Sequence, residues 1–210
     1  MTGLFVTGTD TGVGKTHVTS SLARRARSLG QRVFAFKPIE TGNGTDHELI
    51  SEAAGNWQTG ELRCLYRFKA PLAPLTAGAL EGIEIDLDRV QRVVQASVTK
   101  VDLTLVEGVG GWRVPLTMTA DVSTLARMLG LPVLIVARAG LGTINHSLLT
   151  IEAIERDGVE IAGLVLSRRP DDDRRLAARN FEEIHRRWPH RIVLYEGDDS
   201  SLDVFHVEHR

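Results

Sequence analysis

The 210-residue chain predicts an α/β protein, a three-layer sandwich built on a mostly parallel sheet. Three observations predict it. Short β-branched apolar runs alternate with stretches of helical periodicity, the pattern of strands joined by crossover helices. Most of these runs are apolar throughout, so both of their faces need cover, as in a parallel sheet between two helix layers. Glycines at 30, 130 and 158 directly follow three of the helical stretches, where they act as stop signals.

In order, the first strand is expected at 4–8, followed by a glycine-rich turn and a helix over 15–29 that Gly30 closes. The second strand, 32–36, runs into Lys37-Pro38, and Pro38 keeps the residue before it extended. A helix at 46–54 follows, with Asp46 a candidate N-cap. A long irregular stretch around Pro71 and Pro74 comes next, of the kind that borders a site or moves. The remaining pattern alternates: helix 86–99, strand 102–107, helix 120–129, strand 132–137, helix 144–157, strand 161–166, helix 172–188 and strand 192–195. With no internal repeat and no linker, 1–210 reads as a single domain, and the polar tail 197–210, with His206 and His209, reads as loosely ordered.

Hydrophobic residues make up 42% and charged residues 25%, which excludes a disordered chain. A formal net charge of -2 gives no electrostatic reason to expect a nucleic-acid or anionic-membrane partner. Arg24, Arg25 and Arg27, and Arg174, Arg175, Arg186 and Arg187, fall on amphipathic helices as solvated faces. The single cysteine, Cys64, reads as a small buried hydrophobe. The first strand begins almost at Met1, leaving no room for a signal peptide, and the longest apolar run, Leu131 to Ala137, is too short for a bilayer. A cytoplasmic protein is expected. The histidines include no His-x-x-x-His pair of the zinc-binding kind.

Three features carry chemistry. Gly8-Thr-Asp-Thr-Gly-Val-Gly14-Lys15-Thr16 lies between an apolar strand and a helix, so backbone N–H groups and the helix dipole converge on one point suited to phosphate. Lys15 adds a point charge for the outer phosphates, and the Thr16 hydroxyl can ligate Mg²⁺. The strict pattern has Gly where this chain has Thr9, making this a variant P-loop and the fold P-loop nucleoside triphosphate hydrolase-like. Second, an apolar strand ends at Glu107, followed by Gly108-Val-Gly-Gly111, which puts a carboxylate at the carboxyl edge of the sheet for a metal. Third, Lys37 ends the second strand at that same edge, with Thr41, Gly42 and Asp46 after it; Asp46 is equally a helix cap or a metal-facing carboxylate.

Taken with Val106-Glu-Gly-Val-Gly-Gly-Trp112 and Gly140-Leu-Gly-Thr-Ile-Asn145-His146, these blocks resemble the dethiobiotin synthetase family over most of the chain up to about residue 168. The resemblance implies an ATP- and Mg²⁺-dependent carboxylation of 7,8-diaminononanoate with CO₂ or bicarbonate, closing a cyclic urea. It implies catalytic roles for Lys37, Lys15 and Thr11, and nucleotide contacts from Gly12, Val13, Gly14, Lys15, Thr16, His17 and Ser167. It assigns the substrate to Thr41, Gly108, Gly111, Thr143 and Asn145, and the metal to Thr16, Asp46 and Glu107. It further implies a homodimer with shared sites, in which the substrate carboxylate meets the helix start at Thr143 of a second subunit. Two departures concern the base: Ser167 stands where many members have Asn, and 194–198 lacks the proline-bearing closing segment. The competing reading is a regulatory ATPase of the partitioning or division-site-selection type. Those proteins carry a second lysine early in the loop, where this chain has Asp10, and many end in a basic membrane-targeting helix unlike Leu202 to Arg210. An amide-forming relative acting on a corrin ring would need a glutamine-hydrolysing domain, for which no residues remain.

Overall fold

The computed structural model describes residues 3–205. In chain order these form β1 (Gly3–Gly8), α1 (Lys15–Ser28), β2 (Val33–Phe36), β3 (Ile39–Thr41), α2 (Asp46–Ala53), a 3-10 turn (Gly60–Leu62), β4 (Tyr66–Phe68), α3 (Pro74–Glu81), α4 (Leu87–Val98) and β5 (Leu103–Gly111). Then come α5 (Val122–Leu129), β6 (Val133–Arg138), α6 (Thr143–Arg156), β7 (Ile161–Ser167), α7 (Arg174–Arg187), β8 (Ile192–Tyr195) and a second 3-10 turn (Asp199–Phe205). Six strands make one sheet in the order β2-β5-β1-β6-β7-β8, and every pairing is parallel. The chain leaves β1 towards β2 on one side and later returns to β6 on the other. A crevice therefore opens at the carboxyl ends of the central strands.

Alternation along β1 shows why both faces needed apolar residues. Leu4 and Val6 pack with Val18, Leu22 and Ala26 of α1 and Ile50 of α2. Phe5 faces the other way, into a larger core with residues of α3 through α7. All six expected strands and six expected helices are present, with ends shifted by at most two residues except at the carboxyl end of β5. Asp86, Asp121 and Asp173 are N-caps whose carboxylates accept first-turn N–H groups, so those helices start one or two residues later than expected. Among the described residues, no helix is long and apolar enough to cross a membrane.

Four expectations are corrected. The stretch around Pro71 and Pro74 contains α3, because Pro74 occupies the first helical position, where a missing N–H costs nothing. A second small sheet, β3 beside β4, was not expected; each strand has only three residues. β5 does not end at Glu107 but continues to Gly111, since the glycine run stays extended and pairs with β1 again at Gly8 after a bulge. The tail is not loose over 199–205: Leu202 and Phe205 are buried. Tyr195 Oη shares hydrogen bonds with Ser21 of α1 (2.6 Å) and Asp199 (2.8 Å), and Arg25 grips Asp203 through two 2.7 Å bonds. The basic face of α1, expected to be merely solvated, thus docks the acidic end of the chain. His206 and His209 lie outside the described residues.

Candidate functional site

The glycines of the phosphate loop sit where a side chain would not fit or where the backbone is left-handed. A Cβ on Gly8 would lie 2.8 Å from the Asp10 carbonyl and 2.9 Å from Lys15 Nζ, so glycine is needed at the last residue of β1. Gly12 (φ 72) and Gly14 (φ 102) take left-handed conformations open to glycine at little cost. Gly14 is also the N-cap of α1 and, among the described residues, supplies no side-chain cap, which leaves first-turn N–H groups available to an anion. Lys15 Nζ reaches back to the Asp10 carbonyl at 2.9 Å. Burial, and next the charge of Lys37, lower its pKa to about 8.

Beyond the loop, four expected residues meet. Glu107 is wholly buried, and its Oε1 accepts from Lys37 Nζ at 2.6 Å and from the Thr16 hydroxyl at 2.9 Å. Lys37 Nζ also reaches Asp46 Oδ2 at 3.2 Å. Burial pulls the Lys37 pKa down, but the charges of Glu107 and Asp46 outweigh it and raise the pKa above its ordinary value. Glu107 Oε2 is buried with no hydrogen-bond partner among the described residues. An orphaned carboxylate oxygen costs free energy unless something occupies it. Thr16, Asp46 and Glu107 offer only oxygen, with two carboxylates, which fits Mg²⁺ completed by water and phosphate. Asp46 is the first residue of α2, behind the N-cap Thr45, and so is free to face the cleft.

The cleft of about 530 Å³ above this cluster is bounded by the loop, by Thr41 after Lys37, by Pro71 to Pro74 and by Val109 and Gly110 of β5. Thr11, Gly12, Gly14, Lys15, Thr16, Lys37, Thr41 and Asp46 all reach it. Gly108 and Gly111 do not: Gly108 backs onto the Phe5 ring and Gly111 onto the Gly8 and Thr9 carbonyls. Val13 is buried in the core. His17 is exposed, its ring 5.2 Å from Tyr195. Ser167 sits against the loop, its Oγ 2.7 Å from where a Gly14 Cβ would be. Thr143 lines a separate hollow of about 280 Å³ on the other side of the loop, and Asn145 is exposed beside it. Neither side chain caps α6, whose N-cap is Gly142.

Sequence reasoning missed two groups. Arg169 donates to the Gly12 carbonyl at 2.7 Å, tying the end of β7 to the phosphate loop across 157 residues; no local pattern announces such a contact. Glu40 and His47 form a buried pair at the cleft wall. The signal was present for Glu40, a charged residue inside the apolar-bounded Lys37-Pro-Ile-Glu-Thr block, but its partner depends on how α2 is set.

A family described as an AAA domain matches residues 2–194. Among curated relatives, the ATP-dependent dethiobiotin synthetase BioD of Anaeromyxobacter dehalogenans (strain 2CP-C) is 46% identical over 205 residues, covering 94% of this chain and 92% of that one. The protein of the same name from Anaeromyxobacter sp. (strain K) is 50% identical over 178 residues, covering 82% and 80%. Among solved structures, the signal recognition particle receptor FtsY from Elizabethkingia anophelis superposes with a TM-score of 0.58 at 15% identity, covering 98% of this chain and 65% of that one. The MinD cell division protein of Aquifex aeolicus gives 0.57 at 15% identity, covering 98% and 86%. At that identity the two structures share the P-loop fold and nothing further.

Proposed function

The chain belongs to the dethiobiotin synthetase family, and from that premise we propose that it is a cytoplasmic, Mg²⁺-dependent dethiobiotin synthase acting on 7,8-diaminononanoate, CO₂ or bicarbonate and ATP. It is an ATP-dependent ligase. The observation that carries the reading is Lys37, an ammonium kept charged while buried at the floor of the cleft that the phosphate loop opens into.

In this reading, one substrate amine takes up CO₂ to give a carbamate, whose oxygen attacks the γ-phosphorus with release of ADP. The second amine then attacks the carbonyl of the carbamic-phosphoric anhydride, expelling phosphate and closing the ring. Both amines react in neutral form. Lys15 and Lys37 favour that by placing positive charge beside the diamine, and they stabilise the carbamate and the phosphoryl oxygens in transfer. The loop N–H groups hold the phosphates, Thr11 borders them, and Thr41 orients the diamine end. Thr16, Asp46 and Glu107 would hold Mg²⁺, which when bound neutralises phosphate charge. Purified protein given diaminononanoate, bicarbonate, Mg²⁺ and ATP should form dethiobiotin. ATP hydrolysis stimulated instead by DNA, lipid or a partner protein, with no dethiobiotin, would overturn the assignment.

The base site supports a second expectation. Ser167 abuts Gly14 and offers one hydroxyl, while the turn after β8 is held by Glu196 pairing with Arg168 (2.6 Å) and Arg174 (2.7 Å). A site rejects analogues strongly only when they leave its own buried polar groups unpaired. CTP or GTP should therefore work within about tenfold of ATP, since one neutral hydrogen bond is worth about 1 kcal/mol. A thousandfold preference for ATP in competition assays, far beyond that ~1 kcal/mol, would show that another residue reads the base.

The far end of the substrate motivates the dimer. Asn145 is exposed outside the main cleft, next to Leu141, an apolar side chain 92% exposed. We assign this helix start to the substrate carboxylate of the partner's site in an obligate homodimer. Asn145→Ala should weaken diaminononanoate binding by roughly 10–100-fold, the loss of a hydrogen bond to a charged group, and leave ATP affinity nearly untouched. Mixed dimers of Asn145→Ala and Lys37→Gln subunits should regain one good site. A fully active monomer, or no recovery in verified heterodimers, would rule out the shared site.

A further inference from the structure

Glu40, on β3, is 3% exposed, yet nothing assigned so far uses it. Both of its oxygens are committed to the start of α2. Oε1 accepts the Asp46 N–H at 2.8 Å, and Oε2 contacts His47 Nδ1. Thr45, the N-cap of α2, makes no side-chain capping bond among the described residues. Glu40 therefore serves as the cap from six residues upstream, and a carboxylate there also suits the helix dipole. Residues 41–45 become a ring closed by the Glu40 side chain. Thr41 stands at one end of that ring and Asp46 at the other.

Asp46 needs such an anchor. Its side chain is 41% exposed and is held by a single 3.2 Å contact to Lys37, so packing does not fix it. Its backbone does, through Glu40. The ring also passes close to that carboxylate: a Cβ on Gly44 would lie 2.6 Å from Glu40 Oε1, although the φ of Gly44 is outside the left-handed region and would accept alanine.

We propose that Glu40, oriented by His47, is a positioning residue that holds Asp46 beside Lys37 and Glu107 and thereby sets the affinity of the site for Mg²⁺. The proposal rests on the reading of Asp46 as a metal ligand. Partners that orient a ligand typically change metal affinity by about 10–100-fold when removed.

The test is equilibrium binding of ATP across a Mg²⁺ titration and again in EDTA, with melting curves for each variant. Glu40→Ala should raise the Mg²⁺ concentration needed for half-maximal tightening by about 10–100-fold while leaving metal-free ATP affinity near wild type. Glu40→Gln should sit close to wild type, because its amide carbonyl still accepts from Asp46. Gly44→Ala, which keeps the charge but displaces the carboxylate, should shift the Mg²⁺ dependence in the same direction, and it decides the matter if Glu40→Ala does not fold. Unchanged Mg²⁺ dependence in Glu40→Ala and Gly44→Ala, or metal-free affinity falling in step with the rest, overturns the proposal. Asp46→Asn separates the two levels: no shift there removes the metal reading and this proposal with it. A shift in Asp46→Asn alone removes only the positioning role of Glu40.

Discussion

Replacing Lys37 with glutamine lowers kcat by roughly 10²–10³-fold, the usual loss for one electrostatic contact to a transition state. Glutamine keeps most of the length and one donor but not the charge. That charge is built in: Lys37 is 3% exposed, and its ammonium is held by Glu107 at 2.6 Å and Asp46 at 3.2 Å. ATP still binds, because the loop N–H groups and Lys15 are untouched. Single-turnover rates at saturating ATP, alongside a nucleotide dissociation constant, make the measurement. An unchanged rate would remove Lys37 from the chemistry.

The second large effect is on stability. Glu107→Gln leaves a buried ammonium with one partner instead of two, and breaking a buried pair by removing one member costs about 3–5 kcal/mol. Adding Lys37→Gln should restore much of that loss, since two neutral amides can pair, and a double-mutant cycle in denaturant reads the coupling. The pH dependence has a definite sign. Lys37 has a folded pKa above its ordinary 10.5, so its contribution is fully present below 10.5 and is lost only as pH rises through the folded value. Glu107→Gln removes the larger of the two charges that offset burial, so its deficit should be greatest at low pH and shrink as rising pH lets Lys37 lose its proton. A loss below about 1 kcal/mol would mean that the pair is no more than an exposed contact would be.

Much of this was legible because parallel-sheet proteins write their sites at strand ends. Lys37 and Glu107 lie 70 residues apart, yet each follows an apolar run, and the pairing of Val33–Phe36 with Leu103–Val106 brings them to one place. The loop's glycines, its lysine and Thr16 were readable for the same local reason. What was hidden depends on orientation. Pro74 can break a helix or begin one, and only the packing of α3 chooses. Glu40 and His47 are seven residues apart with a turn between them, so their contact exists only once α2 has its direction. Gly108 and Gly111 share the character of Gly110, but Gly108 is packed against the Phe5 ring and Gly111 against the β1 backbone, contacts that exist only once the sheet has formed.

The carboxyl-terminal turn leaves a constraint on chain length. Phe205 fills the space beside Gly163, where a Cβ would come within 2.3 Å of its ring, and Asp199 and Asp203 hold Tyr195 and Arg25. Tyr195 in turn holds Ser21, on the helix whose first residues are Lys15 and Thr16. A chain ending at residue 197 would keep every residue that touches the cleft, yet it would leave α1 without its brace. Residues 199–205 are therefore a poor place for a deletion or an insertion, because slack introduced there travels along one helix to the phosphate cradle.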